Sequence, residues 1–231
     1  MLAVAFVPHP PALVPDLCGG SVSELADVRT ACGAAIDRLL ATGPEVVWIV
    51  GVGSSERWYG DGDVGSLSDF GRPVTVQLSG PAGPEAACLP LSLTVGAWLL
   101  AQAGYAGERL ALSLPSDVND EQLRDLAVEF VGPGALLVMG DGSAMRDTEA
   151  PGTYHPSAVA FDDAVAEALG AGDSAALSGL DPRLGATVQA QGVGPWRLAG
   201  HCLHGVPVSA DLLYYGAPFG VAYFAATWMP R

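Results

Sequence analysis

The chain has 231 residues, 50% of them apolar, which suits one globular domain with a substantial core. Its formal net charge is −15, and all ten basic residues are arginines. Long-range electrostatics therefore oppose binding to phosphate backbones or anionic lipid, so neither nucleic acid nor a membrane surface is expected as a partner. No apolar stretch is long enough to span a bilayer, since the longest candidate, residues 89–100, is interrupted by Pro90, Ser92 and Thr94. No basic residue precedes the first apolar run and no cleavage-like site follows it, so a signal peptide is not expected and the expected location is cytoplasmic. Cys18, Cys32, Cys88 and Cys202 form no CxxC pair, which argues against a thiolate zinc site or a redox motif. In a reducing compartment they read as buried small apolar residues.

The first apolar run, Leu2-Ala-Val-Ala-Phe-Val7, has no charge and reads as a buried strand that ends abruptly in Pro8-His9-Pro10-Pro11. The prolines stop the strand and forbid a helix, so His9 is expected in an extended loop at the strand's carboxyl end, where open α/β sheets place their ligands. A lone histidine there reads equally as a core or turn residue and as a metal ligand or proton carrier. Residues 23–40 carry Leu25, Val28, Ala31, Ala35, Ile36, Leu39 and Leu40 at helical spacing, with Ser21 or Ser23 as N-cap and Gly43-Pro44 as terminator. Residues 46–50 form a second buried strand that stops in Gly51-Val-Gly-Ser-Ser55. Strand, helix and strand so spaced make a βαβ unit and hence a parallel sheet.

Residues 56–84, rich in Gly, Asp and Pro, read as a surface excursion, a hairpin or a lid, with one short strand at 74–78. A buried helix at 91–103, a strand at 109–114 and an amphipathic helix at 119–130 follow. The strand at 134–139 opens into Gly140-Asp-Gly-Ser-Ala144, whose glycines allow a tight turn or close approach to a ligand. Helices are expected at 157–169, after Asp181-Pro-Arg, and at 194–204. Strands at 206–215 and 221–228 are joined by a turn at 216–220. No repeat or linker interrupts residues 1–231. The expected architecture is a single α/β domain with a central, mostly parallel or mixed sheet flanked by helices on both faces.

Four segments now stand in a fixed order: Pro8-His9-Pro10-Pro11-Ala-Leu-Val-Pro15; Ile49-Val-Gly-Val-Gly-Ser54; Gly140-Asp-Gly-Ser-Ala144 leading to Tyr154-His-Pro and Phe161-Asp162; and Tyr214-Tyr-Gly-Ala-Pro-Phe-Gly-Val-Ala-Tyr223. Together they resemble the class III extradiol ring-cleavage dioxygenases, whose relatives include the Memo-like proteins, over residues 2–223. The resemblance implies a mononuclear non-haem Fe(II) held by two histidines and a glutamate at strand ends, with a further histidine as acid/base toward a catechol-type substrate. Such a ligand set leaves open positions where substrate and O₂ bind together. Carried over residue by residue, His9 matches the first histidine ligand, but Gly53 stands at the second, Ala144 at the acid/base histidine and Gly216 at the glutamate. None of the three substitutes can ligate a metal or move a proton through its side chain.

The resemblance therefore implies a noncatalytic homologue that has lost its iron and needs no cofactor. Its old pocket would comprise His9, Gly53, Ser54, Glu56, Asp141, Ser143, Ala144, Tyr215 and Gly216, either empty or binding a small molecule or partner. The alternative is an active Fe(II)-dependent oxygenase, or another metalloenzyme, with a ligand set relocated around His9 and drawn from Glu56, Asp141 or the His201 and His204 pair. A third reading is a supporting role in which the domain self-associates or props up a catalytic homologue. The bland roles are a turn residue for His155, exposed polar residues for His201 and His204, solvated loop charge for Glu56 and a helix cap for Asp141, with orientation of a bound molecule as Asp141's other role. Ser54, Ser55 and Ser143 lack a visible base, and no dinucleotide fingerprint or P-loop is present, so no nucleotide is assigned.

Overall fold

In the computed structural model, which describes residues 2–18, 23–130, 132 and 134–231, β1 (Ala3–Val7) leads through 3-10 turns at Pro11–Leu13 and Pro15–Cys18 toward α1 (Ala26–Leu40). Then come β2 (Val46–Val52), β3 (Arg57–Tyr59), β4 (Val64–Ser66), β5 (Thr75–Gln77), α2 (Leu91–Gln102), β6 (Glu108–Leu114), α3 (Asp120–Ala127) and β7 (Gly134–Met139). The last part holds α4 (Ala158–Ala171), α5 (Ser174–Ser178), α6 (Pro182–Thr187), α7 (Val193–Cys202), β8 (Val208–Gly216) and β9 (Tyr223–Pro230). Seven strands form one sheet in the order β3-β6-β2-β7-β1-β9-β8, and β4 and β5 form a separate hairpin. The inner β6, β2, β7 and β1 are parallel, while β3, β9 and β8 add antiparallel at the two sides.

Alternation along each strand builds two cores. Val4, Phe6, Trp48, Val50, Leu136 and Val138 face one layer, with side chains of α3, α4, α5 and α7. Ala3, Ala5, Val7, Ile49, Leu137 and Met139 face the other, with α1 and α2. Because both faces are covered, β1, β2 and β7 carry no polar side chain and stand out in the sequence as continuous runs, while β6 is apolar mainly in its second half, beyond Glu108 and Arg109. Helices thus lie on both faces of a mixed sheet, as expected. Among the described residues no helix is long and apolar enough to cross a membrane.

Several local expectations need correction. The prolines after His9 permit 3-10 turns while excluding an α-helix. A 3-10 turn at Ser23–Leu25 precedes α1, whose N-cap Leu25 makes no side-chain capping bond. Ser23 Oγ instead donates to Glu24 Oε2, and Ser21 lies outside the described residues. The helix whose cap is explicit in the sequence is α3, where the Asn119 carboxamide and the Gln122 side chain each bond the other's backbone N–H. The parallel arrangement of β1 and β2 read from the sequence holds, with β7 inserted between them and pairing with both. Cys88 is exposed, contrary to the expectation for all four cysteines, whereas Cys32 is buried.

Trp228 on β9 is 0% exposed, meets Phe6 edge-on at 5.1 Å and donates its indole N–H to the carbonyl of Leu169 at 2.7 Å. Trp228→Phe leaves that buried carbonyl without its donor and opens a small void. The expected loss is about 2–4 kcal/mol in urea unfolding, while Val128→Ala on the exposed end of α3 changes stability by less than about 0.5 kcal/mol.

Candidate functional site

The four parallel strands finish at one edge of the sheet, and the segments leaving β1 and β7 are tied together there. The Gly140 N–H donates to the carbonyl of Val7 at 3.0 Å, so residues 8–10 and 140–142 run side by side. His9 emerges at this junction with 2% exposure. Its backbone N–H donates to Asp141 Oδ1 at 2.7 Å, and its Nε2 lies 3.1 Å from Gln191 Oε1. An amide oxygen facing Nε2 places the ring proton there. Nδ1 stands 3.6 Å from Asp141 Oδ1 and has no hydrogen-bond partner among the described residues.

Asp141 also anchors the amino end of α7, its carbonyl accepting the N–H groups of Gln191 at 3.0 Å and Gly192 at 2.9 Å. The approach depends on glycine, because a Cβ at residue 140 would stand 2.6 Å from Gly192 Cα. Asp141 is therefore not a helix cap, since its carboxylate accepts from His9 and its carbonyl from residues 191 and 192. Burial raises the Asp141 carboxyl above the usual range, partly offset by the adjacent His9 ring and backbone N–H. On α1, burial together with the Asp141 charge pushes the Cys32 thiol up to about 12, which leaves it inert as a nucleophile.

A cavity of about 500 Å³ opens beside this junction, lined by Val52, Gly53, Ser116, Gln189, Gln191 and Gly194 among others, none of its lining residues being charged. Gln191 is exposed and roofs the buried imidazole. Gln189 adopts a φ of 58°, a left-handed conformation rare for a side chain larger than glycine and often found at functional sites. No residue of 56–84 lines this cavity, and the β4–β5 hairpin packs on α2 instead, so the excursion is not its lid. Of the expected pocket, only Gly53 lines the cavity directly, and His9 lies behind Gln191. Ser54 and Glu56 are exposed on the loop beyond β2. A Cβ at Gly53 would stand 2.7 Å from Ser113 Cβ, so β6 occupies the space that a ligating side chain would need.

Ser143, Tyr215 and their neighbours belong to a second cluster on the other side of the 140–146 turn. Ser143 donates both its N–H, at 2.8 Å, and its hydroxyl to the fully buried Asp162 on α4. Arg146 Nη1 reaches Tyr215 OH at 2.8 Å and Asp162 Oδ2 at 3.4 Å, with its guanidinium 5.3 Å from the Tyr215 ring. Tyr215 donates its own hydroxyl to Asp163. The Ser143 hydroxyl thus points at a carboxylate with no imidazole attached, a pinning contact between the turn and α4. Ala144 donates its N–H to the carbonyl of Val188 at 3.0 Å, and Gly216 ends β8, where neither offers a side-chain donor or acceptor.

The remaining histidines do not converge on His9. His201 Nε2 is 2.9 Å from Asp120 Oδ1, and His204 is exposed; both lie at the end of α7 away from Asp141, about 14 Å along the helix. Although burial opposes it, the His201 bond and the Arg124 and Arg197 guanidiniums hold Asp120 below the usual carboxylate range. His155 Nδ1 accepts the Ser157 N–H at 3.2 Å, the turn role read from the sequence. Among the described residues no three His, Cys, Asp or Glu side chains are grouped to hold a metal ion, so the relocated ligand set is not assembled. Gln191 and Arg146 are not expected from the sequence, and Asp162 enters it only through the Phe161-Asp162 segment, without a site role. Gln191 in particular carries no local sequence signal.

Fold and edge together define an α/β protein with a seven-stranded mixed sheet and a ligand-type cleft at the carboxyl ends of its parallel strands. The chain matches no family model and no curated protein. Its structure is similar to that of an uncharacterized protein, JW3007, from Escherichia coli K12, with a TM-score of 0.53 and 14% identity, covering 99% of this chain and 100% of that one. At that identity the likeness is one of fold.

Burial raises the Asp162 carboxyl, and the Ser143 bonds and Arg146 lower it without cancelling the shift. A carboxyl raised in the folded state holds its proton more tightly there than in the unfolded chain. Its contribution is therefore fully present below the unfolded value, near pH 4, and is lost as pH rises through the folded value. The difference in unfolding free energy between the wild type and Asp162→Asn should fall from about pH 4 upward. A difference that is flat or rises with pH, measured by urea titration, contradicts this assignment.

Proposed function

We propose that this chain is a noncatalytic homologue of the class III extradiol ring-cleavage dioxygenases, keeping the α/β scaffold and binding a small molecule at the carboxyl edge of the sheet. The observation that carries the reading is the contact of His9 Nε2 with the Gln191 amide oxygen at 3.1 Å. At the position resembling the first iron ligand, the outward nitrogen of the imidazole is committed to an amide oxygen.

The residues present do not fit a mononuclear iron. The second ligand position is Gly53, with Ser113 packed where a side chain would start, and the carboxylate position is Gly216. A facial iron site needs two imidazoles and a carboxylate on one side of the metal. Among the described residues only His9 and Asp141 stand together, and Asp141 Oδ1 is already engaged by the His9 backbone N–H. The acid/base position, Ala144, has no side-chain proton to give. What the edge keeps is an uncharged cleft of ligand size, about 500 Å³, in the place where α/β sheets bind small molecules.

Anaerobic incubation of the full chain with Fe(II), followed by desalting and metal analysis, tests this reading. The expected outcome is well under one equivalent of retained iron and no oxygen uptake with catechol. One tightly held equivalent together with catechol-dependent oxygen consumption overturns it.

A further inference from the structure

The Gln191 contact also points to the chemistry of the ligand. The His9 ring is buried and, among the described residues, its Nδ1 has no partner and its Nε2 has one, the carboxamide oxygen of an exposed side chain. A buried N–H without an acceptor is costly, so whatever moves Gln191 aside must supply an acceptor in its place. Exchange of one carbonyl oxygen for another costs little, because the bond broken and the bond made are alike. Gln191 faces the same cavity that a small molecule would enter.

We propose that this cleft takes a small neutral molecule bearing a carboxamide, whose carbonyl oxygen replaces Gln191 Oε1 on His9 Nε2. The assignment rests on the reading above to the extent that the imidazole is free of metal. Neutrality follows from the surroundings: the lining holds no cation to pair with a carboxylate, and the Asp141 carboxyl lies 3.6 Å from the other ring nitrogen. An anionic ligand would lose its hydration without compensation and face a like charge across the ring. The body of the ligand meets Val52, Pro115, Ala190 and Val193, with Ser116 and Gln189 as further polar contacts. Gln191 thereby acts as a built-in competitor for its own site.

Benzamide and benzoate, matched in size and differing in charge, are the probes. In the ¹⁵N-labelled, iron-free full chain, benzamide should shift the His9 Nε2 resonance in long-range ¹H–¹⁵N spectra and saturate, while benzoate at the same concentrations leaves it in place. Removing the competitor in Gln191→Ala should tighten benzamide binding about fivefold, the worth of one net hydrogen bond. The assignment is overturned by absence of a benzamide shift, by benzoate binding as well as benzamide, or by unchanged or weaker benzamide binding in Gln191→Ala. Iron retention with oxygen uptake counts against the noncatalytic reading alone, and benzoate matching benzamide in iron-free protein counts against the ligand alone.

Discussion

Residue 141 sits where three parts of the chain converge, and its hydrogen bonds decide the shape of the cleft. The carboxylate accepts the His9 N–H, locking the exit of β1, while the carbonyl accepts the N–H groups of residues 191 and 192, locking the start of α7. The residue itself is carried by β7, between β1 and β2. One aspartate thus joins a strand exit, a neighbouring strand exit and a helix entrance, and the burial of His9 is a result of that junction. The raised Asp141 carboxyl is the electrostatic cost of placing a charge at so dry a position.

The two-sided burial of the sheet makes this junction firm. Side chains of β1, β2 and β7 alternate between the layer holding α1 and α2 and the layer holding α3, α4, α5 and α7. Neither face can slide without displacing a packed core. On the far side of the 140–146 turn, Asp162 and Arg146 hold the segment against α4 and β8, so the turn is restrained from both directions. The other end of α7 is fastened as well, through Arg197 and His201 to Asp120 at the start of α3. Gln191 is by contrast an exposed residue whose side chain meets the His9 ring through its amide oxygen.

Much of the framework is legible in the sequence, and the reason is physical. β1, β2 and β7 are covered on both faces, so each is a continuous run without a polar side chain, and Asn119 with Gln122 announces α3 by a reciprocal cap. β5 is legible as the short strand at 74–78, whereas the three-residue strands β3 and β4 and the five-residue α5 are too short to display a period. The insertion of β7 between β1 and β2 is a long-range pairing choice that no local pattern encodes. At the site, His9 is legible through its prolines and residues 140–142 through their glycines. Gln191 is not, because its meaning arises only when the fold brings it over an imidazole 182 positions earlier in the chain. The resemblance to an iron enzyme directs attention to His9, while the structure supplies the partner that occupies it.

The placement of β1 bears on how the protein is made. Its two neighbours are β7 and β9, with Val4 set beside Leu136 on one side and Trp228 on the other. On a ribosome, this apolar ribbon emerges before either neighbour and waits, both hydrogen-bonding edges bare, until the segments that flank it have been synthesised. Topologies dominated by such distant pairings form slowly and expose sticky intermediates. The nascent chain is accordingly a natural client for chaperones that shield unpaired strands, and its yield in a cell will depend on translation speed and chaperone supply as well as on the stability of the finished fold.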